Sequence, residues 1–347
     1  MKTKILRAVA ILMVCGMLIA SLCACANARN KKVVATSGDY EITYEQLRFV
    51  TMTYKMDLDD KYGDDNDENG TIWDDPTTAE QYRAELEELV WNTVKENYAL
   101  LQACAEHGVG IKVFEGKEIK AAVDEAMKEL LAEYPTKKAF REDAEERYAT
   151  ENLFRFYLAL DEMKYMLHTA MQNEGAFFTN EEAFEEWLRG GNYAYVQHFM
   201  LTHESDEEKE ENRAILEDAR QKYMAGEWNL GDCINKANDD LTNVSPYFVV
   251  RNVHKDVMVD AAVALNGAGD ISEIVEVDGA LYVFVRIPET ATEGSDGTIQ
   301  SNLSLQLTSL LADYQWAVVG DAVEAAKQTV TVELNDYGKS IDLVAMQ

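Results

Sequence analysis

The chain has 347 residues, 63 acidic against 32 basic side chains for a formal charge of −31, and 47% apolar residues with four prolines. So acidic a surface is the wrong sign for phosphate backbones, and no nucleic-acid partner is expected. The apolar share argues for a folded chain, and the length exceeds what one hydrophobic core organises, so two or more substructures are expected.

Lys2, Lys4 and Arg7 precede an uncharged apolar run from Ala8 to about Leu22, and small residues follow. That is the layout of a secretory signal peptide over residues 1–24, the run being shorter than the ~20 residues a spanning helix needs. Leu22-Cys23-Ala24-Cys25 resembles a bacterial lipobox, with Cys25 as the lipidated first residue of the mature chain. The expected location is the extracytoplasmic face of the cell membrane, held through an N-terminal lipid. A plain secretory signal or an uncleaved anchor are the alternatives. Cys15, Cys23 and Cys25 belong to this region, which leaves Cys104 and Cys233, expected as two unpaired thiols.

Val33–Thr36, a turn at Ser37-Gly38-Asp39 and Tyr40–Ile42 read as two short strands. Thr43 with Gln46 forms a capping box that opens a helix to about Met56. A second box, Thr77 with Glu80, opens a long helix carrying Leu86, Val90, Val94 and Leu101 at helical spacing, which Gly108 ends. Amphipathic helices are predicted over 115–132 and 137–173, then a short one capped by Thr179 and Glu182, with a domain boundary at Gly190-Gly191. Tyr193–Leu201 reads as strand, Ser205–Ala225 as helix ended by Gly226, and Leu281–Ile287 as strand, which together describe a small α+β unit. Gly294–Gly297 is a linker, Leu305 to Val318 lie on a final helix, and Thr329–Leu334 is a strand-like tail.

The expected class is therefore α+β, in four parts: residues 1–24, a mostly helical domain over 25–190, an α+β domain over 191–290, and a linker, helix and tail over 291–347. The segment "VVATSGDYEITYEQLRFV" resembles the opening of parvulin-type folding factors of the PrsA/SurA kind, and "YRAELEELVWNTVKENYALLQACAEHGVGI" is similar to their next helix. "YVQHFMLTH", the helix ending "YMAGEW", and "MVDAAVALNGAGDISEIVEVDGALYVFVRIP" resemble the first strand, the helix and the closing half of a parvulin domain. The resemblance covers most of the mature chain. It implies that the C-terminal part packs on the helical domain, and that the partners are unfolded or newly secreted polypeptides.

In parvulins two facing histidines and a polar Cys or Asp stand beside a pocket of Met and Phe. On the resemblance, His198 matches the first histidine and shares a strand face with Val196 and Met200. The second histidine falls on Tyr282, or on Leu281 with a shift of one. The pocket phenylalanine falls on Met258, the pocket methionine on about His254, and the polar position on Asp239 or Asp240. The glycine-rich turn of the family is replaced by "DDLTNVSPYF". Candidate catalytic residues are thus His198, Met258 and Tyr282, in a site that has lost its paired imidazoles; a structural role for His198 is preferred over a catalytic one.

Asp65, Asp67 and Asn69, with Gly70 and Ile72, have the spacing of an EF-hand-type calcium loop. Pro76 stands where the bidentate glutamate belongs, and Asp74 or Asp75 is the nearest substitute, so an acidic solvated loop is the preferred reading and calcium the alternative. No cofactor is otherwise expected. The sequence carries no nucleophile elbow, phosphate loop or zinc spacing. Three functions stay open: a holdase or foldase with weak or no prolyl isomerase activity, an active isomerase using His198, and an acidic surface lipoprotein that uses a non-catalytic parvulin fold for binding.

Overall fold

The computed structural model describes residues 28–63, 71–240, 245–293 and 299–347. The chain is α+β, as expected, and forms two compact units: residues up to Ala170 with Asp321–Gln347, and Met171–Gly320.

The first unit opens with β1 (Val33–Ser37) and β2 (Tyr40–Thr43), antiparallel with Ser37 opposite Tyr40. Gly38 takes the left-handed φ of +55° that this tight turn requires. The expected capping box of Thr43 and Gln46 is present, Gln46 accepting from the backbone of Thr43 at 2.7 Å, and α1 runs Tyr44–Tyr62. α2 (Pro76–Glu106) starts earlier than its sequence suggests, because Asp75 rather than Thr77 is the cap: its Oδ1 accepts from Thr77 N and Thr78 N, and Pro76 fills the first turn. Gly108, at φ +78°, closes the end of α2 as expected, its neighbour Val109 donating back to Cys104 O. α1 and α2 pack together; Tyr54 Oη lies 2.7 Å from Thr93 Oγ1, and Tyr62 stacks on Tyr82.

After α3 (Ile111–Phe114) and α4 (Lys117–Ala132), the long helix predicted over 137–173 is two helices, α5 (Lys137–Glu146) and α6 (Glu151–Glu174). Tyr148 sits between them at φ +58°, where a helix cannot continue, and Thr150 then caps α6 by accepting from Leu153 N. Helical periodicity runs on across this break because Ala144, Ala149 and Leu153 feed one cluster, against Phe49 and Tyr157.

The second unit holds α7 (Glu181–Arg189), capped by Asn180 rather than Thr179. Its α+β part is built on β3 (Tyr193–Thr202), followed by α8 (Asp206–Met224), α9 (Leu230–Lys236), β4 (Tyr247–Val250), α10 (Asp256–Val263), β5 (Val275–Val277) and β6 (Ala280–Arg286). These strands form one antiparallel sheet in the order β4-β3-β6-β5. Both faces of β3 are covered, so its sequence is almost continuously apolar rather than alternating. On one face Phe199, Leu201, Leu281, Val283 and Val285 pack with Leu216 and Ala219 of α8 and with Cys233 and Ile234 of α9. On the other, Ala194, Val196, Val249 and Phe284 pack with Val259 and Ala262 of α10.

A short pair, β7 (Ala291–Glu293) and β8 (Ile299–Ser301), precedes α11 (Asn302–Lys327). The chain then rejoins the first sheet. The tail strand is limited to β9 (Glu333–Leu334), antiparallel to β1, before the single turn α12 (Asp336–Lys339). Gly338 lies so close under β1 that a Cβ there would meet Val34 O at 2.0 Å, which is why no side chain stands at that position.

Candidate functional site

β3 carries His198 into the face covered by α10, where the ring is 4% exposed. The register places Phe284 directly opposite it on β6, with Tyr282 two residues along, opposite Met200. The rings of Tyr247 and Tyr282 stand edge-on to the imidazole, each with centroids 5.5 Å away, and Phe284 lies at 6.4 Å. Tyr282 and Phe284 are themselves parallel, 6.0 Å apart. The imidazole is therefore enclosed by three aromatic side chains from the two strands that flank its own.

One carboxylate reaches this cage. Asp240 Oδ2 stands 3.6 Å from His198 Nε2, beyond hydrogen-bond length, and neither ring nitrogen has a hydrogen-bond partner among the described residues. Burial holds the His198 pKa below its ordinary value, and the Asp240 charge only partly opposes this, so the ring is neutral at pH 7. Burial also raises the Tyr247 and Tyr282 hydroxyls above the usual tyrosine range, with Asp240 adding to the effect. Both phenols thus stay protonated and can donate. A buried polar group without a partner costs about 1–3 kcal/mol, so a carbonyl or amide brought to His198 would meet an unsatisfied ring.

The two positions left open for the missing histidine separate clearly. Tyr282 is on the imidazole's side of the sheet, whereas Leu281 is fully buried in the α8/α9 core on the other side. Asp240, not Asp239, is the acid beside His198; Asp239 instead accepts from Thr202 N and Thr202 Oγ1. Met258 of α10 packs, as Tyr282 does, against the cluster that contains Phe284. His254 sits outside the cage, its ring 6.1 Å from Tyr247 and its Nδ1 at 3.2 Å from Val250 N and 3.4 Å from Val250 O. Tyr247 is the residue that sequence reasoning missed. Its signal was the short apolar run Tyr247–Val250 directly after Pro246, a strand start hidden in what reads as loop.

Cys25, Asp65, Asp67 and Asn69 lie outside the described residues. Of the two substitute calcium ligands, Asp74 Oδ2 accepts from Thr71 N at 2.8 Å, and Asp75 caps α2. No cluster of three or more His, Cys, Asp or Glu suited to a metal occurs among the described residues, nor is any described helix long and apolar enough to cross a membrane. Cys104 and Cys233 are both buried free thiols, pushed up by that burial to about 12 and about 11.

No protein-family model and no curated protein matches the chain. Among solved structures it is similar to the foldase protein PrsA of Streptococcus pneumoniae, with 13% identity over 75% of this chain and 91% of that one and a TM-score of 0.31. It is also similar to the peptidylprolyl isomerase PrsA of Bacillus anthracis, with 11% identity, coverage of 70% and 100%, and a TM-score of 0.36. A third is a SurA-like chaperone of Campylobacter jejuni, with 11% identity, coverage of 88% and 99%, and a TM-score of 0.28. These neighbours are PrsA/SurA-like foldases and chaperones; at such identities and TM-scores they do not bear on what the His198 cage does.

Proposed function

We propose that the protein is an extracytoplasmic, lipid-anchored folding factor that holds unfolded secreted polypeptides, with prolyl isomerase activity at or near background. The observation that carries the second half is the cage itself: the ring opposite His198 is an aromatic without a basic nitrogen, and the imidazole lacks a hydrogen-bonded orienting partner among the described residues. Prolyl isomerisation breaks no bond; its obstacle is amide resonance, a barrier of ~18–20 kcal/mol, and the uncatalysed step takes tens of seconds or longer. Lowering that barrier needs donors and acceptors aimed at the twisted amide. A single unoriented imidazole beside two phenols is a poor version of that network. Holding an unfolded chain needs only apolar area and survives the loss. The extended resemblance of the sequence to parvulin-type folding factors supports the first half.

A protease-coupled assay on a proline peptide, run beside an aggregation-suppression assay, tests the reading. The expected result is an isomerisation rate at background and suppression that His198→Ala leaves unchanged. A strong rate that collapses in His198→Ala restores the enzyme reading. For the anchor, Cys25→Ala is expected to move the protein from the membrane to the soluble fraction, and an unchanged distribution removes the lipid from the proposal.

A further inference from the structure

Residues Ile341–Gln347 follow α12 and lie over α1 of the same unit, where they are held through both main chain and side chains. Lys55 Nζ donates to Val344 O and to Met346 O, both at 2.9 Å, and Arg48 Nε donates to Gln347 O at 2.7 Å. Arg83 holds Asp342 through both oxygens, at 2.7 and 3.4 Å. Only two side chains of the segment are buried, Leu343 at 5% and Met346 at 4% exposure. The segment has no helix and no strand pairing, only a turn, so its release unravels no ladder.

The trough is not filled by its occupant. A cavity of about 510 Å³ remains beside the segment, with Met52, Met56, Trp73 and Tyr148 as its apolar wall and Lys55, Asp59, Thr71 and Asp74 as its polar one. That is within the ~300–1,000 Å³ of ligand pockets. Methionine and aromatic side chains adapt to many apolar shapes, and Met56 is 46% exposed at this site. Lys55 is 8% exposed with its ammonium near the face of Trp73, so it is a desolvated donor whose acceptors are backbone carbonyls.

We propose that this trough is a binding groove for short apolar stretches of unfolded polypeptide, closed by the chain's own segment Ile341–Gln347 until a client displaces it. Carbonyls are the one acceptor every polypeptide presents, so Lys55 can hold any chain without reading its sequence, while two apolar seats take whatever large side chains it offers. The segment is thus a resident stand-in for a client. The inference rests on the folding-factor reading and adds the location and the gate of the client site.

The test compares the full chain with a chain ending at Ser340, using reduced carboxymethylated α-lactalbumin as the unfolded probe and the synthetic peptide of residues 341–347 as competitor. Truncation is expected to tighten probe binding at least tenfold, the peptide to reverse the gain, and Lys55→Met in the truncated chain to abolish it. Should the truncated chain fail to fold, full-length Leu343→Ser/Met346→Ser, which loosens the segment in place, is expected to show the same gain. Probe binding that is unchanged by both alterations, or a gain that the peptide does not reverse, overturns the groove while leaving a folding factor in place. No probe binding by any form overturns the folding-factor reading and the groove with it.

Discussion

His198 in the second unit and Lys55 in the first are both titratable side chains taken almost wholly out of water, and they are accommodated in opposite ways. Lys55 has two carbonyls within 2.9 Å and an indole face nearby. His198 has three aromatic rings around it, one carboxylate at 3.6 Å, and no hydrogen bond among the described residues. A cation cannot be buried without partners, whereas an imidazole can shed its proton and stay as a flat, weakly polar ring. In the first arrangement a cation is held by backbone carbonyls; in the second a neutral imidazole sits in an aromatic core.

If the aromatic wall rather than the imidazole holds the sheet together around His198, Phe284→Ala is the most damaging change there. Phe284 is fully buried at the centre of the α10 face, and emptying that volume is expected to cost about 3–5 kcal/mol, read as a lowered midpoint in urea. A loss under ~1 kcal/mol would mean that the ring's place is readily refilled and that the cage is soft. On the other side of the comparison, Lys55→Met keeps the apolar stem and removes the donor. It leaves Val344 O and Met346 O without their shared partner and is expected to cost about 1–3 kcal/mol, with faster hydrogen exchange over 341–347. Unchanged exchange would show that the cation does not hold the segment.

Much of this was legible in the sequence. The alternation of Val196, His198 and Met200 puts the histidine on one face of β3, the helix expected from Ser205 begins there with Ser205 as its cap, and the glycines at 38, 108 and 226 mark a real turn and two real ends. Caps were misplaced by one or two residues where a second acceptor stood nearby, as with Asp75 ahead of Thr77 and Asn180 behind Thr179. The break at Tyr148 was invisible because periodicity records which residues meet the core, and the residues on either side of the turn meet the same one. Which of Leu281 and Tyr282 shares a face with His198 depended on register, which a sequence leaves open by one residue and the sheet fixes. The grip of Lys55 on 341–347 had no sequence signal, since backbone carbonyls are the same at every residue.

The smallest effect is the sharpest test of the comparison. Because burial lowers the His198 pKa in the folded chain, the unfolded chain binds more protons, and stability rises with pH through the interval between the two values. The full contribution is present above the unfolded value, near pH 6.5, and is lost as pH falls through and below it. His254 is shifted the same way by its own burial and adds a similar slope, so the wild type is expected to lose stability between pH 7 and 5 on two accounts. His198→Phe replaces a ring that has no hydrogen bond to lose among the described residues, in a cage already built for aromatics. At pH 7.5 it is expected to change stability by no more than ~1 kcal/mol, since removing an unpartnered polar group is close to neutral. At pH 5.5 the variant is expected to be the more stable of the two, because only His254 then has to be protonated on unfolding. Urea melts of both proteins at the two pH values decide it. A variant that is destabilised by several kcal/mol at pH 7.5, or that keeps the wild-type acid slope, would show that His198 is hydrogen-bonded after all, and that the second unit treats its buried base as the first treats Lys55.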